Sequence, residues 1–464
     1  MLAGLVENET DALVRLGRAN ATFFCSATNI AYADVRAGEH FLTLPLASRE
    51  FQAWLGHQYF FEKKKAPKLG SERDAMRTLA AYARYQGGPR CEVHLRSARV
   101  GETLILDIGD ETGGAIEITP AGWQVLPRSP VKFQRMPGMA ALPIPERGGD
   151  IEQLRRFINL DVSDFILLVA ALTHAPFPDR PHVVLNLIGE RGSGETTARI
   201  ARSLTDPSEV PTAMLPREAR DLFADVNCSH VLFYYNLSSI PKPISDLLCQ
   251  IMNGFHKRRL RSDLDQVLVG GYRTVVLTSA SNAVVEPDLV EWCVPLHLSH
   301  IAQRRLEATL WKEFERERPA IFGALLDIVA LGLKRLPHVT VPDPPRLLDF
   351  VLWGTAIEQA FGASGSFLAA FAACQTTALD SVIELNPVAA AIAAFMEDQD
   401  GWDGTSTELW RELKARDRTE ARLTETKGWP KDPISFGIAL TNLTASRKFL
   451  PGWWESAGAA RASR

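Results

Sequence analysis

The sequence predicts an α/β protein built around a parallel sheet, and three features predict it. Four short, nearly continuous apolar runs, VVLNLI (183–188), HVLFYY (230–235), RTVVLT (273–278) and CVPLHL (293–298), alternate with helical patterns. Strands of this kind suit a sheet covered by helices on both faces. The first run enters a glycine-rich turn, GERGSGETT (189–197), and a helical pattern, TTARIARSL, follows it at once. Finally, the texture differs on either side: α+β before this region and purely helical after it.

The expected elements follow in order. LASREFQAWLGHQYFF (47–61) repeats apolar residues at helical spacing. SERDAMRTLAAYARYQ (71–86) reads as a second amphipathic helix with Ser71 at its N-cap. The basic stretch EKKKAPK between them reads as a solvated turn. From Cys91, segments of alternating polarity punctuated by Gly, Pro and Asp predict a small antiparallel meander. MPGMAALPIPERGGD (136–150) reads as a linker. Residues 343–397 read as helices, and DGTSTELWRELKAR (403–416) opens a further helix that Thr405 or Ser406 can cap. The helix–turn–helix pattern after it suggests a winged-helix-like unit. The expected domains are 1–148 (α+β with a meander), 149–340 (the parallel sheet) and 341–464 (helical).

Composition narrows the function. The chain has 464 residues, 46% hydrophobic and 23% charged, with a net charge of −4. No overall positive charge advertises nucleic acid, so such a surface must be local. The six cysteines form no C-x-x-C pair, no metal-ligand spacing appears, and no metal site is expected. The longest apolar run, FILLVAALTHA from Phe165, is too short to span a bilayer. The acidic, polar start does not read as a signal peptide. A cytoplasmic protein without membrane contact is expected.

The glycine-rich turn matches the template G-x-x-x-x-G-K-[ST] in its strand-to-helix context. Gly189, Gly192, Ser193, Gly194, Thr196 and Thr197 supply the loop. Glycines let backbone N–H groups turn toward a phosphate, and the helix N-terminus adds favourable charge. Glu195, however, stands where the loop needs lysine. Two unit charges 4 Å apart near a surface interact by about 4 kcal/mol. Replacing attraction by repulsion costs roughly twice that, comparable to the ~8 kcal/mol of a micromolar ligand.

From about Gly149 to Pro319 the chain resembles the helicase-like P-loop NTPases of phages and mobile elements, relatives of superfamily-three and AAA+ helicases found beside primase domains. GERGSGETT, HVLFYYNLSSIPKPISDLLCQI, RTVVLTSASN and EPDLVEWCVPLHL carry the resemblance; LWKEFERERPAIFGALLDIVALGLKRLP and GWPK extend it to roughly two-thirds of the chain. It implies a P-loop NTPase core, and four groups that such enzymes need are replaced. The loop lysine falls on Glu195, the acid that holds Mg²⁺ on Tyr235, the polar sensor on Thr278 and the arginine finger on Trp292. A phenol is a poor ligand for a hard cation, and indole cannot stabilise charge on a transferring phosphoryl group. Asp246 and Asp263 do not end strands and are not placed to replace the acid. Arg191 and Arg199 are candidate replacements for the lysine charge.

A catalytically silent relative of a DNA-replication ATPase is therefore expected, acting as a scaffold or nucleic-acid-binding subunit. The alternatives are an active helicase that uses non-standard residues with ATP and Mg²⁺, and an interaction module on an inherited fold. No cofactor is expected under the first reading. In the resembled helicases the interval between the second and third strands carries a hairpin facing DNA. Here that interval holds His256, Lys257, Arg258, Arg259 and Arg261, the candidate phosphate contacts. Expected partners are DNA, a primase or other replication protein, and further copies of the chain.

Overall fold

The computed structural model describes residues 7–445 apart from 39, 191–192, 263–264, 301–304, 343–344, 363–364, 397–401, 417–423 and 425–428. The chain opens with α1 (Glu9–Asn20), β1 (Ala21–Cys25), β2 (Ala31–Ala37), β3 (His40–Pro45), α2 (Arg49–Lys63) and α3 (Leu69–Tyr85). The strands form an antiparallel sheet in sequence order. The helices close over it around Leu13, Phe23, Phe51, Leu55 and Leu79. Side-chain oxygens of Asn8 and Ser48 accept N–H groups at the starts of α1 and α2, which fixes where those helices begin. Ser71 does not cap α3. That helix starts at Leu69 after Pro67, so Ser71 lies in its first turn, where the hydroxyl donates to Glu9 of α1 (2.8 Å).

The predicted meander is present as β5 (Ser97–Val100), β6 (Thr103–Asp107), β7 (Ala115–Thr119) and β8 (Gly122–Leu126), antiparallel and in sequence order. Two short strands, β4 (Val93–His94) and β9 (Lys132–Phe133), pair in parallel beside it. Next comes α4 (Val162–His174), apolar nearly all round and buried, as its even hydrophobicity demands.

The α/β region holds β10 (Val184–Ile188), α5 (Ser193–Thr205), α6 (Ala219–Cys228), β11 (Val231–Leu237), α7 (Lys242–Met252), the hairpin β12 (Phe255–Ser262) and β13 (Asp265–Gly271), β14 (Thr274–Ser279), α8 (Pro287–Val290) and β15 (Cys293–His297). The four apolar runs form one all-parallel sheet ordered β11-β14-β10-β15. Pro295 lacks a ladder donor and is tolerated because β15 lies at the edge of the sheet.

A 29-residue helix, α9 (Glu307–Arg335), follows, with Pro319 inside it, then α10 (Leu348–Ile357) and α11 (Ser366–Leu385). A single core runs from Leu104 in β6 to Cys374 in α11, so the meander shares its interior with the sheet and α9. Trp123 Nε1 of β8 donates to Asp327 of α9 at 2.8 Å, and the Arg147 guanidinium sits 4.1 Å from the Trp123 ring centroid. The connecting segment crosses α9 backbone to backbone. A Cβ at Gly149 would overlap the Ala320 carbonyl, and one at Gly323 would overlap that of Glu146.

The last described unit comprises α12 (Pro387–Met396), α13 (Ser406–Arg416) and α14 (Pro433–Ala445) around Ile392, Leu409, Trp429 and Phe436. Thr405 and Glu408 form a reciprocal capping box at α13. The residues after Ala445, on which the wing of the expected winged-helix-like unit would have to fall, lie outside the described residues.

Candidate functional site

The C-terminal ends of β10, β11 and β14 converge beneath the start of α5. Gly189 N–H donates to Ser279 O (3.1 Å), which ties the loop entrance to the end of β14. Gly192 lies outside the described residues, and α5 begins at Ser193. Gly194 approaches β14 closely: a Cβ there would stand 3.2 Å from Thr278 Cβ. Packing of the helix start on the sheet therefore favours a small residue here, whatever the loop binds. Glu195 is exposed on the first turn of α5, Thr196 is half-buried and Thr197 is buried.

Thr278, placed between the loop strand and β11, connects the two. Its Oγ1 accepts the Asn236 N–H at 3.0 Å. Asn236 has a left-handed backbone (φ 54°), and the register of β11 on β14 shifts between Tyr234 and Leu237. Side chains with local hydrogen-bonding capacity tolerate this conformation best. Tyr235 is half-buried beside this bulge, and its N–H is taken by Ala213 O (3.0 Å). The structure thus brings Gly194, Thr278 and the Tyr235–Asn236 step together.

Trp292 is elsewhere. It immediately precedes β15, and its carbonyl accepts the N–H of Val184, the first residue of β10. It therefore lies at the opposite end of the sheet from the loop. Its indole is buried, with Arg346 5.4 Å from the ring centroid. Arg346 also forms an ion pair with Glu291.

Arg199 is not directed at the loop. Its Nη1 binds Glu307 of α9 at 2.8 Å, and its guanidinium lies 4.5 Å from the Trp311 ring centroid. Contact with α9 decides its direction, which sequence spacing does not show. Asp246 pairs with Lys242 one turn earlier on α7 (3.4 Å). Arg191 and Asp263 lie outside the described residues. At the mouth of the loop, Glu190 meets His300 Nδ1 at 3.0 Å.

Sequence reasoning missed a polar cluster inside the sheet. Asn186, fully buried in β10, donates to Asn282 Oδ1 (3.0 Å) and accepts from Ser279 Oγ (3.2 Å). Asn282 Oδ1 also accepts Val284 N–H (3.1 Å). The signal was a lone asparagine in an otherwise apolar run. Among the described residues, no group of His, Cys, Asp and Glu is arranged to hold a metal ion.

His256 to Arg261 lie on β12 of the hairpin, with Lys257 opposite Val269, Arg258 opposite Leu268 and Arg259 opposite Val267. The interval that the resemblance assigned to a hairpin is therefore a two-stranded ribbon, set between α7 and the third sheet strand. No described helix is long and apolar enough to cross a membrane.

A parallel sheet with a glycine loop opening a helix, and a basic ribbon inserted before the third strand, defines an α/β protein with the layout of a phosphate-loop fold. Residues 151–389 match the family of actinomycete integrative conjugative element replication proteins, and residues 388–446 match the C-terminal domain of the RepA proteins of those elements. The chain belongs to that family of mobile-element replication proteins. No curated protein matches it. Among solved structures it is similar to Cch of SCCmec type IV, described as an active helicase, at 10% identity over 83% of this chain and 80% of that one (TM-score 0.41). It is also similar to the apo C-terminal region of NrS-1, at 12% identity over 68% of each chain (TM-score 0.41).

Proposed function

We propose that the chain is a catalytically silent P-loop NTPase relative that serves its element's replication complex as a DNA-binding or scaffolding subunit. The observation that carries this reading is Glu195, exposed on the first turn of the helix that opens the glycine loop. A carboxylate there repels a triphosphate where a lysine would neutralise it. Of the candidate substitutes, the two that are described are engaged elsewhere: Arg199 with Glu307 and Trp311, Asp246 with Lys242. Tyr235 and Thr278 stand at the strand ends, and neither supplies a carboxylate to hold Mg²⁺. The β12–β13 ribbon carries the DNA-binding side of the reading through its five basic residues. If copies assemble, packing and not shared nucleotide holds them, so sizing chromatography with light scattering is expected to show no response to ATP and Mg²⁺.

Calorimetry with ATP and Mg²⁺ on the protein and its Glu195→Lys variant tests the proposal. The expected result is no binding by the protein and recovered binding, without turnover, by the variant. A DNA-stimulated ATPase in the unmodified protein, proportional to purified protein, would overturn it.

A further inference from the structure

Helix α2 carries two apolar faces. Phe51, Leu55 and Tyr59 are buried against the N-terminal core. His57, Phe60, Phe61 and Lys64 fall at i, i+3, i+4 and i+7, so they share another stripe on and just beyond the helix, and all four are exposed. Phe60 is 53% and Phe61 70% exposed, unusual for phenylalanine. The Phe61 ring stacks on His57 with centroids 6.5 Å apart, and Lys64 Nζ lies 4.7 Å from its centroid.

The stripe ends in a basic corner. Lys64 takes the left-handed C-cap (φ 55°), and Lys65 and Lys68 follow before α3. Lys63 is engaged by Glu62 (2.9 Å) and Glu7 (3.8 Å). Lys64, Lys65 and Lys68 have no carboxylate within ion-pair distance among the described residues; Glu9, bonded to Ser71 and to the Lys68 backbone, acts on Lys65 and Lys68 only from farther away. The corner is held rigidly. Gln52 of α2 donates to Glu72 of α3 (2.8 Å), and Gly56 leaves room for that carboxylate. Arg15 of α1 bonds Glu62 at 2.7 Å.

Exposed rings interleaved with exposed lysines outside ion-pair distance of a carboxylate are the two components of a single-strand platform: bases stack on the rings and the cations track the phosphates. We infer that the His57–Lys68 corner of the N-terminal unit is a second nucleic-acid contact, selective for unpaired DNA. It rests on the DNA-binding half of the proposed function and adds a site outside the β12–β13 ribbon. Duplex DNA hides its base faces, so it gains from the lysines alone.

The test is fluorescence anisotropy with the full chain on oligo(dT) and on a duplex of equal length. Four proteins are compared: unmodified, Phe60→Ala/Phe61→Ala, Lys64→Ala/Lys65→Ala/Lys68→Ala, and the ribbon variant Lys257→Ala/Arg258→Ala/Arg259→Ala. The phenylalanine pair is expected to weaken oligo(dT) binding about five- to tenfold or more and to leave duplex binding unchanged. The lysine triple is expected to flatten the oligo(dT) salt slope by about 0.7 for each phosphate left without its lysine. Phe61→Trp is expected to restore oligo(dT) affinity when placed in the Phe60→Ala background. Because both rings are exposed, circular dichroism is expected to match the unmodified protein. Equal losses on both DNAs, or no loss on either, overturn the inference. Loss confined to the ribbon variant overturns it while leaving the proposed function standing. No binding of either DNA by the unmodified protein overturns the inference together with the DNA-binding half of the proposed function, and leaves the scaffolding half. Phe61-dependent binding to phosphatidylcholine–phosphatidylserine vesicles without oligo(dT) binding would reassign the corner to a membrane.

Discussion

Arg96 Nε and Asp206 Oδ1 form an ion pair 3.0 Å long across 110 residues of chain, with both side chains almost wholly buried. Arg96 also donates to the carbonyls of Asp107, Ile108, Ala140 and Pro207. Asp206 also accepts the backbone N–H groups of His230 (2.8 Å) and Val231 (3.1 Å). One pair thus connects the meander, the end of α5 and the start of β11. Removing one member leaves a buried charge, which costs about 3–5 kcal/mol. Urea unfolding is expected to show losses of this size for Arg96→Met and for Asp206→Ala. The double substitution is expected to cost less than the sum, as a coupled pair requires.

His230 lies against that pair, and two more buried histidines, His182 and His174, follow it in turn. Burial is the main cause that lowers each of them. His230 falls to about 4, although Asp206 opposes the shift, and His182 falls to about 3, with His230 adding to the effect. His174 is pushed down by burial and then by His182 and Arg180. In the unfolded chain each takes a proton near pH 6.5. Below that pH the unfolded state binds more protons, so stability is full above it and is lost as pH falls toward 4. The loss is about 1.4 kcal/mol per pH unit for each histidine. Among the described residues neither ring nitrogen of His174 has a hydrogen-bond partner, and the ring packs among Phe177, Phe350 and Trp353. His174→Leu is therefore expected to raise the melting temperature and flatten the pH dependence by about one proton. An unchanged slope would show that carboxylates alone set the acid limit.

At the loop, two substitutions that look equivalent are expected to behave differently. Glu195 is exposed, so Glu195→Lys leaves stability within about 0.5 kcal/mol while changing nucleotide affinity. Gly194→Val, an obvious way to block such a loop, drives a branched side chain against Thr278. It is expected to destabilise by about 1–3 kcal/mol through overpacking. Thermal melts of both variants check this, and a neutral Gly194→Val would mean that the helix start can move off β14.

If β12 neutralises phosphates, Lys257→Ala/Arg258→Ala/Arg259→Ala weakens duplex binding for every sequence tested. The salt slope is expected to flatten by about 0.9 for each phosphate no longer neutralised. Titrations at several salt concentrations read this directly; the same affinity and slope would leave the run a solvated edge.

Much of the architecture was legible because burial on both faces leaves a plain mark. The four runs from Val183 to Leu298 are apolar at nearly every position and are the four parallel strands. Ser71 was misread because a serine before a helical pattern does not reveal that Glu9, 62 residues away, competes for its hydroxyl. Long-range partners explain the other gaps. Arg96 reads as one polar residue in a meander, and its role depends on Asp206. Arg199 has the right charge near the loop, yet Glu307 and Trp311 set its direction. The ribbon was signalled as a basic run, while its pairing with Asp265–Gly271 is visible only in the backbone.

The glycine crossings over α9 also bear on how the protein can be divided. A fragment beginning at residue 150, where the linker ends and close to where the family match begins, would lack more than an appendage. It would lose Leu104, Leu106, Ile116, Ile118 and Trp123 from the shared core, together with the carbonyl of Glu146 that Gly323 is shaped to meet. The uncovered flank of α9 would be greasy and notched, an adhesive surface that invites aggregation. A shortened protein that stays monodisperse has to begin ahead of the meander, near residue 90, where the separate core of the first three helices ends.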